Sequence, residues 1–258
     1  MMAPVKAAQY LLIDISNSFT KLAFASASRV ARPSRVPTRE FTRAYLRTVL
    51  KEQKPQTIVI SSVVPDRNKA IRAAARGIRL LWLSAKINLG VGVEYPEPET
   101  IGADRLANAA AVTVLYGYPA VVVDFGTAVT FDIVSEQKRY IGGIIAPGLE
   151  AMTSFLYQRT ALLPKLSLKE PRQVVGKSTG AAMMAGAVYG YRGLVREILQ
   201  RIKSERFPRH HIRVVATGGY AGLIARQLPL IESVHPNLTL EGLRIVAGLN
   251  QTPMGRRR

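Results

Sequence analysis

Along the chain, short runs of apolar residues alternate with segments in which apolar residues recur at helical spacing. Two of the runs share a further pattern: an apolar stretch reaches an acidic residue, a turn follows, and alternating apolar residues resume. These two runs span 11–22 and 121–134. An apolar run, a tight turn and a returning alternating run are typical of a β-hairpin. We therefore predict two hairpins of the same design.

The two hairpin sequences can be laid over one another. An acid, a turn residue and a threonine recur 110 positions apart: Asp14 on Asp124, Ser16 on Gly126, and Thr20 on Thr130. Such a repeat indicates a duplicated unit, so we expect two lobes that each open with an acid-bearing hairpin. A carboxylate, a flexible turn and a hydroxyl together suit a phosphate and its cation. Similar strings also form ordinary hairpins, and on the pattern alone both interpretations stay open.

The rest of the pattern predicts strands that alternate with helices. Strands are predicted over 57–65, 78–84, 139–145 and 212–216. Helices are predicted over 39–51 (capped by Thr38), 67–76, 101–116, 176–202, 221–227 and 239–249, with one more ending near 158. Between them we predict a surface connection over 29–37, a loop over 89–100 and an irregular stretch over 161–175. This alternation favours an α/β architecture.

Composition narrows the class of protein. A chain of 258 residues with 48% apolar residues can form two modest domains, or one large domain, with buried cores. It has no run of about 18 apolar residues, so we expect no membrane span. Residues 1–9 show no secretory signal. The absence of Cys excludes disulfides and thiolate chemistry, and a cytoplasmic protein is the simplest interpretation.

The net charge of +19 is the unusual feature of the composition. Such a charge attracts polyanions through its long-range field. A basic surface also suits phosphorylated small molecules, and some whole proteomes are basic. The charge alone therefore leaves nucleic-acid binding open without favouring it.

The segment 101–108 begins a predicted helix with Asp104 in its first turn and Arg105 beside it. A carboxylate there complements the helix dipole. The same pair can also be an ionised acid with a chemical role at the mouth of the preceding loop. The position alone does not decide between these interpretations.

Two motifs together make the chain resemble the type III pantothenate kinases. They are Asp-x-Gly-Thr-Ala-x-Thr, beginning at Asp124, and Ile-Gly-Ala-Asp-Arg-x-Ala-Asn, beginning at Ile101. At this spacing the combination is highly specific. Further matching segments follow in order along nearly the whole chain: 14–21, 61–65, 95–96, 142–148, 163–164, 176–179 and 217–219.

The resemblance implies a fold and a division into lobes. That family is similar to actin, hexokinase and the acetate and sugar kinases, which are α/β proteins with two ribonuclease-H-like lobes around a nucleotide cleft. On this basis we expect an N-terminal lobe over 1–117, a C-terminal lobe over 118–250 and a basic tail over 251–258.

The resemblance also implies a reaction and its partners. The family transfers the γ-phosphoryl group of ATP to the hydroxyl of pantothenate, giving 4'-phosphopantothenate in the first step towards coenzyme A. It implies ATP with Mg²⁺, a monovalent cation (K⁺ or NH₄⁺) and a homodimer.

Residue roles follow from the same resemblance. Asp104 is expected to be the general base, and Asp124 to bind the monovalent cation. The expected pantothenate-binding residues are Tyr95, Gly102, Ala103, Asp104, Arg105 and Thr179. The expected ATP-binding residues are Asp14, Ile15, Ser16, Asn17, Ser18, Phe19, Thr20, Lys21 and Thr127.

The first hairpin departs from the family pattern, in which Asp-x-Gly-Asn-Thr is usual. Here Ser16 replaces the Gly and Ser18 replaces the Thr. A glycine at a hairpin apex serves either a positive φ or a close approach of the backbone. In the first case Ser16 is strained. In the second its hydroxyl can donate to phosphate.

Two other functions stay open. One is a regulatory or nucleic-acid-binding protein on the same fold. The other is a degenerate paralogue that binds ATP poorly. The aromatic residues of the first basic helix, Phe41 and Tyr45, share one face with Val49 and are interpreted as core and not as a platform for base stacking. Nucleic acid is therefore not the expected partner despite the charge of +19. The cations of the first alternative are Arg39, Arg43, Arg47, Arg72 and Arg76.

Overall fold

The computed structural model describes residues 8–251 and has the predicted α/β architecture. Of the predicted basic tail, residues 252–258 lie outside the described residues. The described chain divides into two compact units. The first contains 8–115, 138–141 and 237–251, and the second contains 116–137 and 142–236. No helix in 8–251 is both long enough and apolar enough to cross a membrane.

The first unit is built on a mixed sheet of five strands. These are β1 (Tyr10–Ile15), β2 (Phe19–Ala25), β3 (Ser34–Pro37), β4 (Thr57–Ser62) and β5 (Arg79–Trp82). Their order is β3-β2-β1-β4-β5. β1 and β2 form the first predicted hairpin, and β4 runs parallel to β1. The central strands are apolar on both faces because both faces are covered, as in parallel sheets generally.

Helices α1 (Arg43–Glu52) and α2 (Pro65–Ala74) cover one face of this sheet. Leu11, Ile13 and Ile60 from the strands share a buried apolar cluster with Leu46 of α1 and Ile71 of α2. The unit also contains the short strand β6 (Gly92–Val93) and helix α3 (Ala103–Leu115), which begins two residues later than predicted.

The segment before α1 differs from the prediction. Residues Thr38–Glu40 form a 3-10 turn, and α1 is capped by Thr42, whose side chain accepts a hydrogen bond from Tyr45 N at 3.2 Å. The predicted cap, Thr38, is instead 3% exposed and contacts the first hairpin. The predicted connection 29–37 contains β3, because its backbone pairs with β2.

The second unit contains β7 (Ala120–Phe125), β8 (Ala128–Val134), most of β9 (Arg139–Pro147), β10 (Arg213–Gly218) and β11 (Ser233–Val234). β7 and β8 form the second predicted hairpin, and β10 runs parallel to β7. β9 starts within the first unit, where its residues Arg139 and Tyr140 pair with β6.

The two hairpins differ in length, which corrects their predicted superposition. Asp124 lies opposite Thr130, whereas Asp14 lies opposite Lys21. The first turn is therefore one residue longer. Lys21, and not Thr20, takes the place that corresponds to Thr130.

Three helices complete the second unit: α4 (Leu149–Arg159), α5 (Thr179–Arg206) and α6 (Ala221–Ala225). The stretch predicted to be irregular, 161–175, has no regular element. The long helix α5 was predicted from its small residues, and it begins after Ser178, whose side chain accepts from Ala181 N at 3.2 Å.

The last helix, α7 (Leu238–Leu249), belongs to the first unit. Its Thr239 hydroxyl donates to Asn108 Oδ1 of α3 at 2.9 Å, and Leu240 and Leu243 are fully buried. The sequence-based lobes assign this helix to the C-terminal lobe, whereas its contacts group it with the first unit.

Candidate active site

The first hairpin presents the predicted ATP-binding residues at the carboxyl end of β1. Asp14 is 5% exposed and lies beside Ser61 of β4, while Asn17 and Ser18 are exposed in the turn. Ligands of open α/β sheets bind at the carboxyl ends of the parallel strands. The turn and its acid therefore lie where a phosphate group can approach. The remaining members of this set lie at the strand ends: Ile15, Phe19, Thr20 and Lys21.

Ser16 occupies the apex without a positive φ, since Lys138 is the one non-glycine residue in 8–251 with that conformation. The strained alternative for Ser16 is therefore wrong, and close approach to a ligand is the alternative that remains. Gly126 of the second hairpin does not have a positive φ either. A Cβ at Gly126 would lie 3.5 Å from the Ala128 carbonyl oxygen, an ordinary contact.

The start of α3 presents Asp104, which is half-buried. Its Oδ1 accepts a hydrogen bond from Arg105 N at 2.9 Å. Burial raises the pKa of the Asp104 carboxyl above its ordinary 3.8, whereas this hydrogen bond and the Arg105 charge act in the opposite direction. Burial dominates, because removing water disfavours the charged form. The result is a carboxylate that is more basic than an ordinary aspartate.

Gly102 leaves room for that carboxylate. A Cβ at position 102 would lie 2.6 Å from Asp104 Oδ1. Any side chain there would push the carboxylate out of its present position, since 2.6 Å is well inside van der Waals contact. Gly102, which is predicted to bind pantothenate, is therefore required by the position of the Asp104 carboxylate. Ala103, predicted to bind pantothenate as well, is the first residue of α3.

Tyr140 is a residue that the sequence interpretation missed. It is fully buried, and its ring centroid lies 5.7 Å from the Arg105 guanidinium carbon and 6.3 Å from the Tyr95 ring centroid. The backbone of Glu94 donates to the Tyr140 carbonyl at 2.9 Å, which holds the Tyr95 loop to β9. Two of the residues predicted to bind pantothenate, Arg105 and Tyr95, thus both lie next to the Tyr140 ring. An isolated tyrosine in a strand gives no sequence signal beyond a place in the core.

In the second unit, Asp124 lies at the carboxyl end of β7 and is half-buried. The backbone of β10 approaches it closely at Gly218, where φ is +92° and a Cβ would lie 2.6 Å from Asp124 Oδ1. Close packing of β10 on β7 is therefore sufficient reason for this glycine. Hard cations prefer oxygen ligands, which this carboxylate and the nearby backbone can supply.

Residues 8–251 contain no cluster of three or more His, Cys, Asp or Glu side chains with the geometry of a metal site. This composition fits Mg²⁺ held mainly by the phosphates of a nucleotide, since protein sites for Mg²⁺ use one or two carboxylates with substrate phosphates.

Thr127 and Thr179 are the other predicted site residues of the second unit. Thr127 is exposed in the second turn, where its carbonyl accepts from Gly148 N at 3.2 Å. Thr179 is exposed as the first residue of α5. The predicted residues thus form two sets: the first hairpin, Tyr95 and the start of α3 in one unit, and Asp124, Thr127 and Thr179 in the other.

Comparison with known sequences gives a consistent result. The profile of the type III pantothenate kinase family matches residues 10–201. A type III pantothenate kinase from Akkermansia muciniphila is 50% identical over 248 residues, covering 93% of this chain and 99% of that protein. A type III pantothenate kinase from Methylacidiphilum infernorum is 42% identical, covering 92% of this chain and 87% of that protein.

Comparison with solved structures confirms the predicted fold class. A Campylobacter jejuni structure described as a Baf family transcriptional activator aligns with a TM-score of 0.60 at 20% identity, over 92% of this chain and 96% of the other. A Sinorhizobium meliloti structure described as a 2-dehydro-3-deoxygalactonokinase aligns with a TM-score of 0.57 at 13% identity, over 92% and 98%. At these identities the likeness concerns the fold alone.

Proposed function

The chain belongs to the type III pantothenate kinase family, and from this premise we propose that it phosphorylates pantothenate with ATP. The products are 4'-phosphopantothenate and ADP. The observation that carries the proposal is the half-buried Asp104, whose pKa is raised and whose Oδ1 is oriented by the Arg105 N–H. The regulatory or nucleic-acid-binding alternative is not favoured by relatives that are kinases.

In this proposal Asp104 accepts the proton of the attacking hydroxyl. A new bond forms between that oxygen and the γ-phosphorus, and the bond from the γ-phosphorus to the β,γ-bridging oxygen breaks. Phosphoryl transfer depends mainly on positioning and charge neutralisation. One correctly oriented base is therefore enough to activate the acceptor hydroxyl. A raised pKa brings the Asp104 carboxylate closer to the operating pH, where a general base is most effective.

Pantothenate carries a carboxylate, for which Arg105 provides a cation. The guanidinium lies over the Tyr140 ring, which restricts its orientation. Cations over aromatic faces are stabilised by the ring quadrupole. We assign Tyr95, Gly102 and Ala103 to the rest of this pocket.

ATP is assigned to the turn of the first hairpin, which Asp14 and Lys21 flank. Mg²⁺ accompanies the ATP phosphates and supplies charge neutralisation during transfer. We assign K⁺ or NH₄⁺ to Asp124, whose carboxylate at the carboxyl end of β7 is an oxygen ligand of the kind that hard cations prefer.

A homodimer is supported by an exposed apolar face on α4, which we call the α4 face. Met152, Phe155 and Leu156 are 41%, 59% and 42% exposed. Residues at i, i+3 and i+4 lie together on a helix surface. Exposed apolar patches of this kind mark protein interfaces.

We also propose a cytoplasmic location, which agrees with the lack of Cys in the sequence.

The test is ADP release by the purified chain with and without pantothenate, first in potassium and then in sodium buffer. We expect release that requires pantothenate and is greater in potassium. ATP hydrolysis that ignores pantothenate, or no turnover in either buffer, would contradict the proposed reaction.

A further inference from the structure

Thr38, from the 3-10 turn after β3, makes three hydrogen bonds to the first hairpin. Its hydroxyl lies 2.6 Å from the Ser16 carbonyl oxygen and 3.1 Å from the Thr20 hydroxyl. Its N–H donates to the Ser18 carbonyl at 3.0 Å. One residue from outside the hairpin thus holds both ends of the turn that contains Asn17.

The direction of these bonds can be deduced. A carbonyl only accepts, so the single hydrogen of the Thr38 hydroxyl goes to the Ser16 carbonyl. Thr38 must then accept from Thr20, whose own hydrogen is directed to Thr38. Thr20 is 0% exposed and Thr38 is 3% exposed. The order of donation is therefore Thr20 to Thr38 to Ser16.

The same segment holds the hairpin tip a second time. The Arg35 guanidinium carbon of β3 lies 3.4 Å from the ring centroid of Phe19, at the start of β2. β3 pairs with β2 from Leu22 to Phe19, which brings both supports to the turn. The hairpin turn is thus held by two side chains, those of Arg35 and Thr38.

We propose that Thr38 is a positioning residue for the nucleotide-phosphate turn, and that Thr20 acts through Thr38 and not as a direct phosphate ligand. This inference rests on the proposed function, which assigns ATP to the hairpin. Phosphate contacts then fall to the turn residues Ser16, Asn17 and Ser18. A ligand-binding turn held in place before binding loses less conformational entropy when the ligand arrives.

The experiment compares Thr38→Val, Thr38→Ser, Thr20→Val and the double valine variant. Valine keeps the branched shape and removes the hydroxyl, and serine keeps the hydroxyl. The control is Thr113→Val, which deletes another buried hydroxyl of the first unit that bonds to the Ala109 and Ala110 carbonyls of α3. Readouts are KM for ATP, KM for pantothenate, and calorimetric affinity for Mg²⁺ with a non-hydrolysable ATP analogue.

We expect Thr38→Val to weaken nucleotide binding and raise the KM for ATP about tenfold, as expected when a buried carbonyl loses its donor. The KM for pantothenate stays within about twofold in every variant, because none of the changed residues is assigned to pantothenate and effects at separate sites are nearly independent. Thr38→Ser restores binding. Thr20→Val has a small effect, and the double variant resembles Thr38→Val alone, because both residues act along one path.

Three results would overturn the inference. They are wild-type nucleotide affinity in Thr38→Val, a loss in Thr113→Val as large as in Thr38→Val, and a loss in Thr20→Val that adds fully in the double variant. The last result would make Thr20 a direct ligand, and Thr20→Val reports this even if Thr38→Val does not fold. Wild-type protein that binds the analogue but does not phosphorylate pantothenate contradicts only the proposed function, since the binding comparison still tests Thr38.

Discussion

At the scale of single residues, Asp104 shows how a chemical role and stability oppose each other. The folded protein holds the Asp104 proton more tightly than the unfolded chain does, because burial raises its pKa. Stability from this group is therefore present below the ordinary pKa of 3.8 and is lost as the pH rises through the folded value. At neutral pH the charged base reduces the free energy of unfolding.

Asp104→Asn should accordingly lose about 100-fold or more of turnover, the contribution of general base catalysis, while melting at the same or a higher temperature at pH 7. ADP release and thermal unfolding measure the two effects. A matched control is Asp66→Asn, since Asp66 is an exposed acid in the first turn of α2. Turnover of Asp104→Asn within a few-fold of wild type would reduce Asp104 to a helix-end charge.

The pH profile gives a second prediction at this residue. Since the ionised carboxylate is the base, kcat/KM for pantothenate should fall as the pH decreases through the pKa of Asp104 in the free protein. That pKa lies above 3.8, so the acidic limb should lie above the pKa of an ordinary aspartate. Measuring kcat/KM for pantothenate across the acidic range checks this. A limb at or below the ordinary value would exclude Asp104 as the titrating group.

Ser16 gives a third prediction. Because Ser16 has no positive φ, Ser16→Gly relieves no backbone strain and should not raise the melting temperature. We expect a lower KM for ATP through reduced crowding, with the KM for pantothenate nearly unchanged. Weaker ATP binding in Ser16→Gly would instead show that the Ser16 hydroxyl is a working ligand.

At the scale of elements, the strongest patterns were predicted correctly and the weak ones were not. Both hairpins followed from apolar runs that end in an acid and resume with the period-two alternation typical of half-buried strands. The short edge strand β3 was missed because Pro33 precedes it and Pro37 is its last residue, and proline-bounded edges of this kind resemble connections. The cap of α1 was misassigned because Thr38 and Thr42 are equivalent as sequence signals. Only tertiary contact shows that the Thr38 hydroxyl is committed to the Ser16 carbonyl.

The candidate site was predictable to a similar extent. Asp104 and Asp124 stand out because they lie in specific motifs. Tyr140 does not, because its role depends on the register of β6 against β9, which no local pattern encodes. The sequence also did not indicate that the first turn is one residue longer than the second. Asp14 and Asp124 can be aligned with either turn length, and only the strand pairing shows the difference.

The α4 face yields a prediction about assembly. Phe155→Glu places a charge in the proposed interface and should convert the proposed dimer to a monomer, because burying an unpaired charge is costly. Light scattering coupled to size-exclusion chromatography measures the mass. Val234→Glu is the control, since Val234 is exposed in the same unit but lies on β11. A dimer that survives Phe155→Glu would place the interface elsewhere.

At the scale of the whole molecule, the positive charge is concentrated in the first unit. Residues 29–79 contain 13 Lys or Arg and 3 acidic residues. Among the exposed large apolar side chains of 8–251, none lies on α1 or α2. The surface therefore offers phosphate attraction without base stacking. Any retention of nucleic acid should be independent of sequence and disappear as salt approaches physiological strength. Sequence-preferring retention at that salt, measured by fluorescence anisotropy, would contradict this.

The return of α7 to the first unit has a consequence for protein synthesis. The strands of that unit leave the ribosome early, but α7 is made only after the whole second unit has been translated. Until then Asn108 lacks the Thr239 hydroxyl, and the α3 surface that α7 covers stays open. The second unit is contiguous apart from 138–141 and can fold as it emerges, so the part made first is the part completed last.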